Sequence, residues 1–326
     1  EAKVLCIYRH EVILDVFAER AQTKEASLQV RLARLEYSLP RLRRAWTHLG
    51  RQRGGGVTQR GEGEAQIELD QRMLRDKIAS TKREIAQVSV RRSTSRKKRQ
   101  RIPLRTLAIV GYTNAGKSTL LNCMTGAEVL SADKLFATLD PTSRKVRLPG
   151  GRTVVLTDTV GFIRKLPHRL VDAFKATLEE ALVADLLLHI VDLSNPEFAE
   201  QMKTTVEVLK ELGGADKEIL TVYNKVDQAD DSLTKISARN LVSECSFISA
   251  KTSQGIEELL ELIEEKLDEG EDANDYLIPH DQYSLVSKLR EQGSLLSEEV
   301  VESGVFVKAT PRGNLAYQIK EFLDHS

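Results

Sequence analysis

Cysteine and aromatic residues are scarce in this chain of 326 residues. It has three cysteines and one tryptophan, and aromatic residues make up 5% of the sequence. Cys6, Cys123 and Cys245 lie far apart and form neither a CxxC pair nor a group with histidine. This pattern argues against a disulfide framework and against a zinc site, and it favours a reducing cytoplasm.

Long apolar segments are also lacking, and no signal peptide is visible in the sequence. No run of about twenty apolar residues occurs, so we expect no membrane-spanning helix and no membrane partner. The first residue is Glu1 rather than Met, and we expect the natural N-terminus to lie further upstream. With 41% hydrophobic residues, the sequence predicts two or three soluble domains in a cytoplasmic monomer. A partly membrane-peripheral location stays open as an alternative.

Acidic residues are scarce in the first third of the chain. Residues 1–105 contain 25 Lys and Arg against 12 Asp and Glu, a net charge of +13, whereas the remaining residues carry −13. One short basic run is most simply a solvated surface, but an excess over a whole region favours a polyanionic partner such as nucleic acid. We expect RNA contacts from Arg51, Arg53, Arg60, Arg96, Lys97, Lys98 and Arg99.

The basic region contains two apolar stripes with the alternating spacing of four and three that is typical of a coiled-coil seam. A glycine-rich segment, residues 50–63, separates them and should not continue either helix. The pattern therefore predicts a long antiparallel helical hairpin with a flexible, basic tip, and Pro40 should kink or locally break its first helix. The first stripe is Leu28, Leu32, Leu35, Leu39, Leu42, Trp46 and Leu49, and the second is Ile67, Gln71, Leu74, Ile78, Thr81, Ile85 and Val88.

Residues 111–118, Gly-Tyr-Thr-Asn-Ala-Gly-Lys-Ser, match a phosphate-binding loop. They follow the apolar run 107–110 and precede a helix-compatible stretch, which is the order that such a loop requires. Glycines let backbone N–H groups surround a phosphate, Lys117 supplies a charge to the outer phosphates, and the Ser118 hydroxyl can coordinate Mg²⁺. The segment therefore predicts nucleotide binding.

Two further segments, 158–161 and 136–142, have residues suited to binding Mg²⁺ and the terminal phosphate. Asp158-Thr159-Val160-Gly161 ends an apolar strand, which places Asp158 near Mg²⁺, held through a water, and the Gly161 amide near the terminal phosphate. Between the phosphate loop and Asp158 lies the segment 136–142. A threonine there, Thr138 or Thr142, would complete the Mg²⁺ shell only while the terminal phosphate is present, so the segment is a candidate switch.

Asn224-Lys225-Val226-Asp227 again follows an apolar strand and predicts the base specificity. A carboxylate at Asp227 can accept hydrogen bonds from the ring nitrogen and exocyclic amine of guanine, a donor pair that adenine lacks. Residues 249–251 follow the next strand, where their backbone can contact the guanine carbonyl. The expected GTP site comprises Gly111, Tyr112, Thr113, Asn114, Ala115, Gly116, Lys117, Ser118, Thr119, Phe136, Ala137, Thr138, Leu139, Asp140, Asp158, Thr159, Val160, Gly161, Asn224, Lys225, Val226, Asp227, Ser249, Ala250 and Lys251.

From Arg105 onward, short apolar strands alternate with amphipathic helices, which predicts a doubly wound, mostly parallel α/β sheet. The acidic run 268–275 predicts a linker, followed by a small α+β unit with a helix near 282–292 and a strand at 305–307. We therefore expect three domains, at 1–103, 104–268 and 269–326. The strand candidates are 107–110, 153–157, 186–191, 218–222 and 246–248.

Five motifs together, GYTNAGKSTL, FATLDPT, DTVGFI, NKVD and SAK, preceded by a helical hairpin, resemble the HflX GTPases of the Obg-HflX group. The resemblance runs from about residue 12 to residue 326 and implies that Thr138 is the switch threonine and an Mg²⁺ ligand. It also implies an Mg²⁺-dependent GTPase that binds the large ribosomal subunit and splits stalled or stressed ribosomes. The short α/β unit that begins the family's proteins is largely missing from this chain.

Hydrolysis should depend on Lys117, Thr138 and Gly161, because phosphoryl transfer is mainly positioning and charge stabilisation. Phe162 stands where Ras-like enzymes have a water-orienting glutamine, so we expect slow intrinsic turnover that a partner stimulates. Asn114 either shapes the phosphate loop or helps to bind K⁺, as in some similar GTPases. The alternative function is a GTP-dependent switch that binds a protein or a non-ribosomal RNA through the hairpin.

Overall fold

The structure is a computed structural model that describes residues 8–52, 57–99, 104–126, 141–163, 181–229, 232–268, 273–291, 294–311 and 313–323. Among these residues, no helix combines the length and the apolar character that a bilayer crossing demands. They form three parts: an N-terminal group of helices, a six-stranded sheet with helices on both faces, and a small three-stranded sheet. The predicted fold class is confirmed.

Three helices form the N-terminal part: α1 (Arg9–Arg20), α2 (Lys24–Gln52) and α3 (Val57–Arg99). α2 and α3 pack against each other, and the Lys82 ammonium lies 2.7 Å from the Glu36 carboxylate across the pair. The predicted seam positions are buried or half-buried wherever their side chains are described, and Thr81 is 1% exposed. The alternating pattern therefore identified the facing sides of the two long helices.

The glycine-rich segment 50–63, predicted as a flexible tip, lies largely within the two helices. α2 continues to Gln52 and α3 begins at Val57, so Gly50, Gly61 and Gly63 lie inside helices. Each glycine costs a helix only about 1 kcal/mol relative to alanine, and extending an existing helix adds one hydrogen bond per residue. Pro40 likewise lies within α2 without ending it, so the predicted local break is absent.

The central sheet has the order β2-β3-β1-β4-β5-β6. Its strands are β1 (Thr106–Gly111), β2 (Thr142–Arg147), β3 (Thr153–Asp158), β4 (Leu186–Asp192), β5 (Ile219–Asn224) and β6 (Cys245–Phe247), and its helices are α4 (Lys117–Thr125), α5 (Phe198–Glu211), α6 (Ser232–Leu241) and α7 (Ile256–Asp268). All pairings are parallel except β2 with β3. The carboxyl ends of β1, β3, β4 and β5 therefore meet along one edge, where ligands of such sheets bind.

The sequence patterns missed β2, the antiparallel edge strand. Only Val146 of its six side chains is buried, so the strand lacks the apolar run by which the other five were found. An edge strand pairs on one side only, and its polar side chains stay in water.

One apolar core joins the N-terminal helices to the central sheet. Phe17 of α1 and Val30 of α2 are 0% and 2% exposed, and they pack in one cluster with Val110, Phe162 and Leu187. α4 and α7 cover the opposite face of the sheet in a second cluster. The base of the hairpin is thus packed on the same sheet that carries the phosphate loop.

The C-terminal part is an antiparallel sheet of order β7-β9-β8 with helices against it. It contains β7 (Asn274–Ile278), α8 (Tyr283–Glu291), β8 (Leu295–Val301), β9 (Gly304–Ala309) and α9 (Gly313–Ile319). The predicted helix and strand are present. The predicted linker is too long by three residues, because Asp268 still belongs to α7 and Asn274 and Asp275 already pair with β9.

Candidate functional site

The phosphate loop connects β1 to α4 and has a backbone that favours glycine at two points. Gly111 and Gly116 have φ values of +147° and +96°, and a methyl group on Gly111 would overlap the Ile190 carbonyl of β4. Asn114, which is exposed, also adopts the left-handed region with a φ of +62°. α4 begins at Lys117, so its free N–H groups point into the loop.

Lys117, Ser118 and Asp158 meet at the phosphate end of the site. Lys117 is 6% exposed and donates a hydrogen bond from Nζ to the Tyr112 carbonyl, 2.9 Å away. Burial lowers the pKa of Lys117, the nearby Asp158 carboxylate offsets part of that shift, and the resulting pKa is about 8. Ser118 Oγ donates to Asp158 Oδ2 over 2.7 Å. A hydroxyl beside a carboxylate is a set of hard oxygen donors, which fits Mg²⁺.

Gly161 lies directly against the phosphate loop. A Cβ atom at this position would stand 2.7 Å from Lys117 Nζ and 2.7 Å from Thr113 Cα, so only glycine fits. The next residue extends the sheet: Phe162 N donates to the Gly111 carbonyl (3.0 Å), and Thr113 N donates to the Phe162 carbonyl (2.7 Å). The Phe162 side chain is 2% exposed and belongs to the core shared with α1 and α2. Its ring is therefore held away from solvent and offers no group that could orient a water.

Asn224 ties the expected base-binding segments to the phosphate loop. Its Nδ2 donates to the Ala115 carbonyl (2.8 Å), and its Oδ1 accepts from Ala250 N (2.9 Å). The residue is 2% exposed. Asp227 and Lys251 are exposed at the same edge, so the Asp227 carboxylate is accessible to a base.

Asp192, the last residue of β4, lies at the site although none of the sequence motifs includes it. Asp192 Oδ2 lies 2.7 Å from Lys225 Nζ, and Asp192 is in register with Asn224 on β5. The available signal was an acidic residue at the end of an apolar strand, the same signal that identified Asp158.

His189 is a second buried polar residue that the motifs did not indicate. It is 2% exposed in β4 beside Val110 of β1. Burial and, to a smaller extent, the positive charge of Lys117 together lower the pKa of His189 to about 4. The imidazole is therefore neutral near pH 7.

Several predicted site residues lie outside the described part of the chain. Phe136, Ala137, Thr138, Leu139 and Asp140 belong to one such segment, and Arg53 belongs to another. Arg51 lies in α2, and Arg60 and residues 96–99 lie in α3. The structure places the backbone of these cations on the two long helices and leaves their RNA contacts as a prediction.

Two sequence profiles match the chain. One, described as the GTP-binding GTPase middle region, matches residues 20–99, and the other, described as a 50S ribosome-binding GTPase, matches residues 106–225. Proteins described as GTPase HflX are similar over almost the whole chain. The relative from Akkermansia muciniphila is 48% identical over 93% of this chain and 72% of its own length, and that from Escherichia coli is 42% identical over 91% and 70%.

This chain belongs to the HflX GTPase family. It therefore binds GTP and hydrolyses it. Among solved structures, the complex of SsGBP with GDP is similar, with a TM-score of 0.51 and 28% sequence identity over 79% of this chain and 72% of that one. HflX membership agrees with the motifs at the ends of β1, β3 and β5.

Proposed function

We propose that this HflX-family GTPase binds the large ribosomal subunit and uses GTP to split or rescue stalled ribosomes. The observation that carries the proposal is the match of residues 106–225 to a profile described as a 50S ribosome-binding GTPase. The net charge of +13 on residues 1–105 supports it, because ribosomal RNA is a polyanion. In this proposal residues 1–103 contact RNA, residues 104–268 bind the nucleotide, and residues 269–326 form a separate small domain.

In the proposed GTP site, the loop amides and Lys117 would hold the phosphates, Ser118 would coordinate Mg²⁺, and Asp158 would act on the ion through a bound water. Bound Mg²⁺ supplies charge neutralisation for the phosphates. Gly161 brings its backbone N–H to the terminal phosphate, since no side chain separates it from Lys117. Thr138 is the proposed switch residue. Asp227 reads the guanine base, and Lys225, Ser249, Ala250 and Lys251 complete its surroundings.

The chemistry of hydrolysis follows from what surrounds Lys117. Its ammonium stabilises charge that develops on the phosphoryl oxygens, in a buried position where such an interaction is strong. Because the Phe162 ring is buried in the core, no side chain at that position orients the attacking water. We infer slow turnover by the isolated protein and faster turnover when the ribosome supplies or orders the missing group. A K⁺ ion bound near Asn114 is a second hypothesis for the added positive charge.

The alternative is a GTP-dependent switch whose hairpin binds a protein or a non-ribosomal RNA. The two long basic helices favour a nucleic acid over a protein, and salt distinguishes the classes. Binding through many phosphate contacts weakens steeply as salt rises. A partner that binds equally well at 0.05 M and 0.3 M salt would favour the protein.

Sedimentation of ribosomes through a gradient tests the proposal. The protein is mixed with ribosomes and GTP, a non-hydrolysable GTP analogue or GDP, and the fractions are examined for the protein and for free subunits. We expect co-sedimentation with the large subunit in the GTP-analogue state. Absence of co-sedimentation in all three states would exclude ribosome binding, and binding without free subunits would exclude splitting alone.

A further inference from the structure

The carboxyl ends of β4 and β5 are joined by backbone and side-chain contacts beside the proposed guanine site. Asp192 is opposite Asn224 in the parallel pairing of the two strands, and Leu193 N donates to the Asn224 carbonyl over 3.0 Å. Asn224 in turn binds the phosphate loop and Ala250. Asp192 therefore has a fixed place next to the segment that contains Asn224 and Asp227.

The two oxygens of the Asp192 carboxylate have different partners. Oδ1 accepts from Ser194 N at 3.0 Å and from Ser194 Oγ at 2.5 Å, which closes a turn after β4. Oδ2 accepts from Lys225 Nζ at 2.7 Å. The side chains of Lys225 and Asp192 are 22% and 14% exposed, so the ion pair is mostly removed from water. One oxygen thus closes the turn, and the other holds the Lys225 ammonium.

Lys225 needs such a partner because of its position and its chemistry. It directly follows β5 with a φ of +65°, a conformation that is uncommon for residues other than glycine. Its side chain has four flexible methylene groups, and an unpaired ammonium would extend into water. The pair with Asp192 fixes these methylene groups at the carboxyl end of β5, two residues before Asp227 in the chain.

We propose that Asp192 is a positioning residue for nucleotide binding, which holds Lys225 as the apolar wall against the flat face of the guanine base. The inference rests on the guanine site proposed above. A wall of methylene groups contacts the face of any purine, whereas Asp227 reads the groups on its edge. Asp192 should therefore affect affinity for GTP, GDP and ITP alike, and Asp227 should affect the preference for GTP over ITP, which lacks the exocyclic amine.

The first experiment measures equilibrium binding and steady-state hydrolysis for Asp192→Asn, an isosteric variant without the charge. We expect about tenfold weaker binding of GTP, GDP and ITP, or about 1.4 kcal/mol, with a raised KM and an unchanged kcat. Ser194→Ala is the matched control, because it removes the hydroxyl bond to Asp192 and keeps the Lys225 pair. An effect of Ser194→Ala as large as that of Asp192→Asn would assign the loss to the turn and overturn the proposal.

A double-mutant cycle supplies the decisive test. In a Lys225→Met background, which keeps an apolar side chain and removes the ammonium, Asp192→Asn should weaken binding by less than twofold. Equal losses in both backgrounds would show that Asp192 acts independently of Lys225, and the proposal would be wrong. If Asp192→Asn does not fold, Asp192→Glu, which keeps the charge on a longer side chain, enters the same cycle.

The guanine site itself is tested in parallel with Asp227→Ala. Loss of the preference for GTP over ITP supports the site, and additive effects of Asp192 and Lys225 would then reject only the positioning role. If Asp227→Ala keeps the full preference for GTP, the guanine site is misplaced and the inference fails with it.

Discussion

The nucleotide-binding sheet and the helical hairpin use charge in opposite ways. At the sheet edge, single charges are buried or half-buried and held by specific partners, as Lys117 is by the Tyr112 carbonyl and Lys225 is by Asp192. On the described part of the hairpin, the charges are mostly exposed, and even the Lys82–Glu36 pair leaves 57% of the lysine side chain in water. A site of the first kind depends on the position of each charge. A surface of the second kind depends on how many charges it presents.

The largest expected effect comes from a single buried charge. Lys117→Ala should lower the rate of GTP hydrolysis by at least about 100-fold, because the variant loses the ammonium that stabilises the phosphoryl charge. The measurement is phosphate release in a single turnover. Lys203→Ala is the matched control, since Lys203 is exposed on α5 and should change the rate by less than twofold. If both variants lost the same fraction of the hydrolysis rate, buried and exposed lysines would not differ in their effect on catalysis.

On the hairpin, several charges have to be removed together. Replacement of Arg96, Lys97, Lys98 and Arg99 by glutamine should weaken ribosome binding by about 100-fold near 0.1 M salt and make the slope of log K against log salt shallower by about 3. Nucleotide affinity should not change. The paired control is Lys203→Gln with Lys210→Gln, two exposed cations of α5. If the fourfold variant of residues 96–99 keeps the same slope of log K against log salt, these four cations do not contact RNA.

The buried His189 of the central sheet should make the stability of the protein depend on pH. The pKa of His189 is about 4 in the folded protein because of burial, against 6.5 for a free histidine. Between pH 6.5 and pH 4 the unfolded chain therefore binds a proton at His189 and the folded protein does not. The free energy of unfolding decreases as the pH falls through this range. Between pH 6.5 and pH 5, His189 should lower the free energy of unfolding by about 2 kcal/mol, as measured by urea unfolding. In His189→Gln the free energy of unfolding should depend less steeply on pH, by about one proton. An unchanged slope of the unfolding free energy against pH would contradict a low pKa for His189.

The smallest expected effect concerns the exposed Asn114. If K⁺ binds beside it, GTP hydrolysis should be about tenfold faster in KCl than in NaCl at equal ionic strength, because one more charge would face the phosphates. Asn114→Asp serves as a comparison that keeps the size of the side chain. Equal rates in the two salts, with and without ribosomes, would leave Asn114 with the role of shaping the loop by its φ of +62°.

Much of the nucleotide-binding sheet follows from local patterns, because its strands are short apolar runs that end in polar motifs. Thr106–Gly111 and Ile219–Asn224 were found in this way, and the residues after them meet as the sheet topology requires. Thr142–Arg147 was missed because an edge strand buries almost nothing. Gly61 and Gly63 were misassigned because a glycine costs a helix only about 1 kcal/mol, and extending an existing helix adds a hydrogen bond for each residue.

The contacts that position the site were harder to predict. Asp192 approaches Lys225, 33 residues away, only because β4 and β5 are parallel neighbours. The packing of Phe162 against α1 and α2 likewise depends on the tertiary fold. Sequence motifs named the groups that meet the ligand, but they do not contain the register that places supporting groups beside them.

In the function proposed above, GTP hydrolysis stays slow until a ribosomal partner completes the site, because the buried Phe162 cannot orient the attacking water. The most direct measurement is the rate of GTP hydrolysis with and without purified large subunits, at 0.1 M and 0.4 M salt. We expect a slow basal rate, at least about tenfold stimulation by the subunits, and loss of that stimulation at the higher salt. A basal rate that large subunits leave unchanged at both salt concentrations would contradict it.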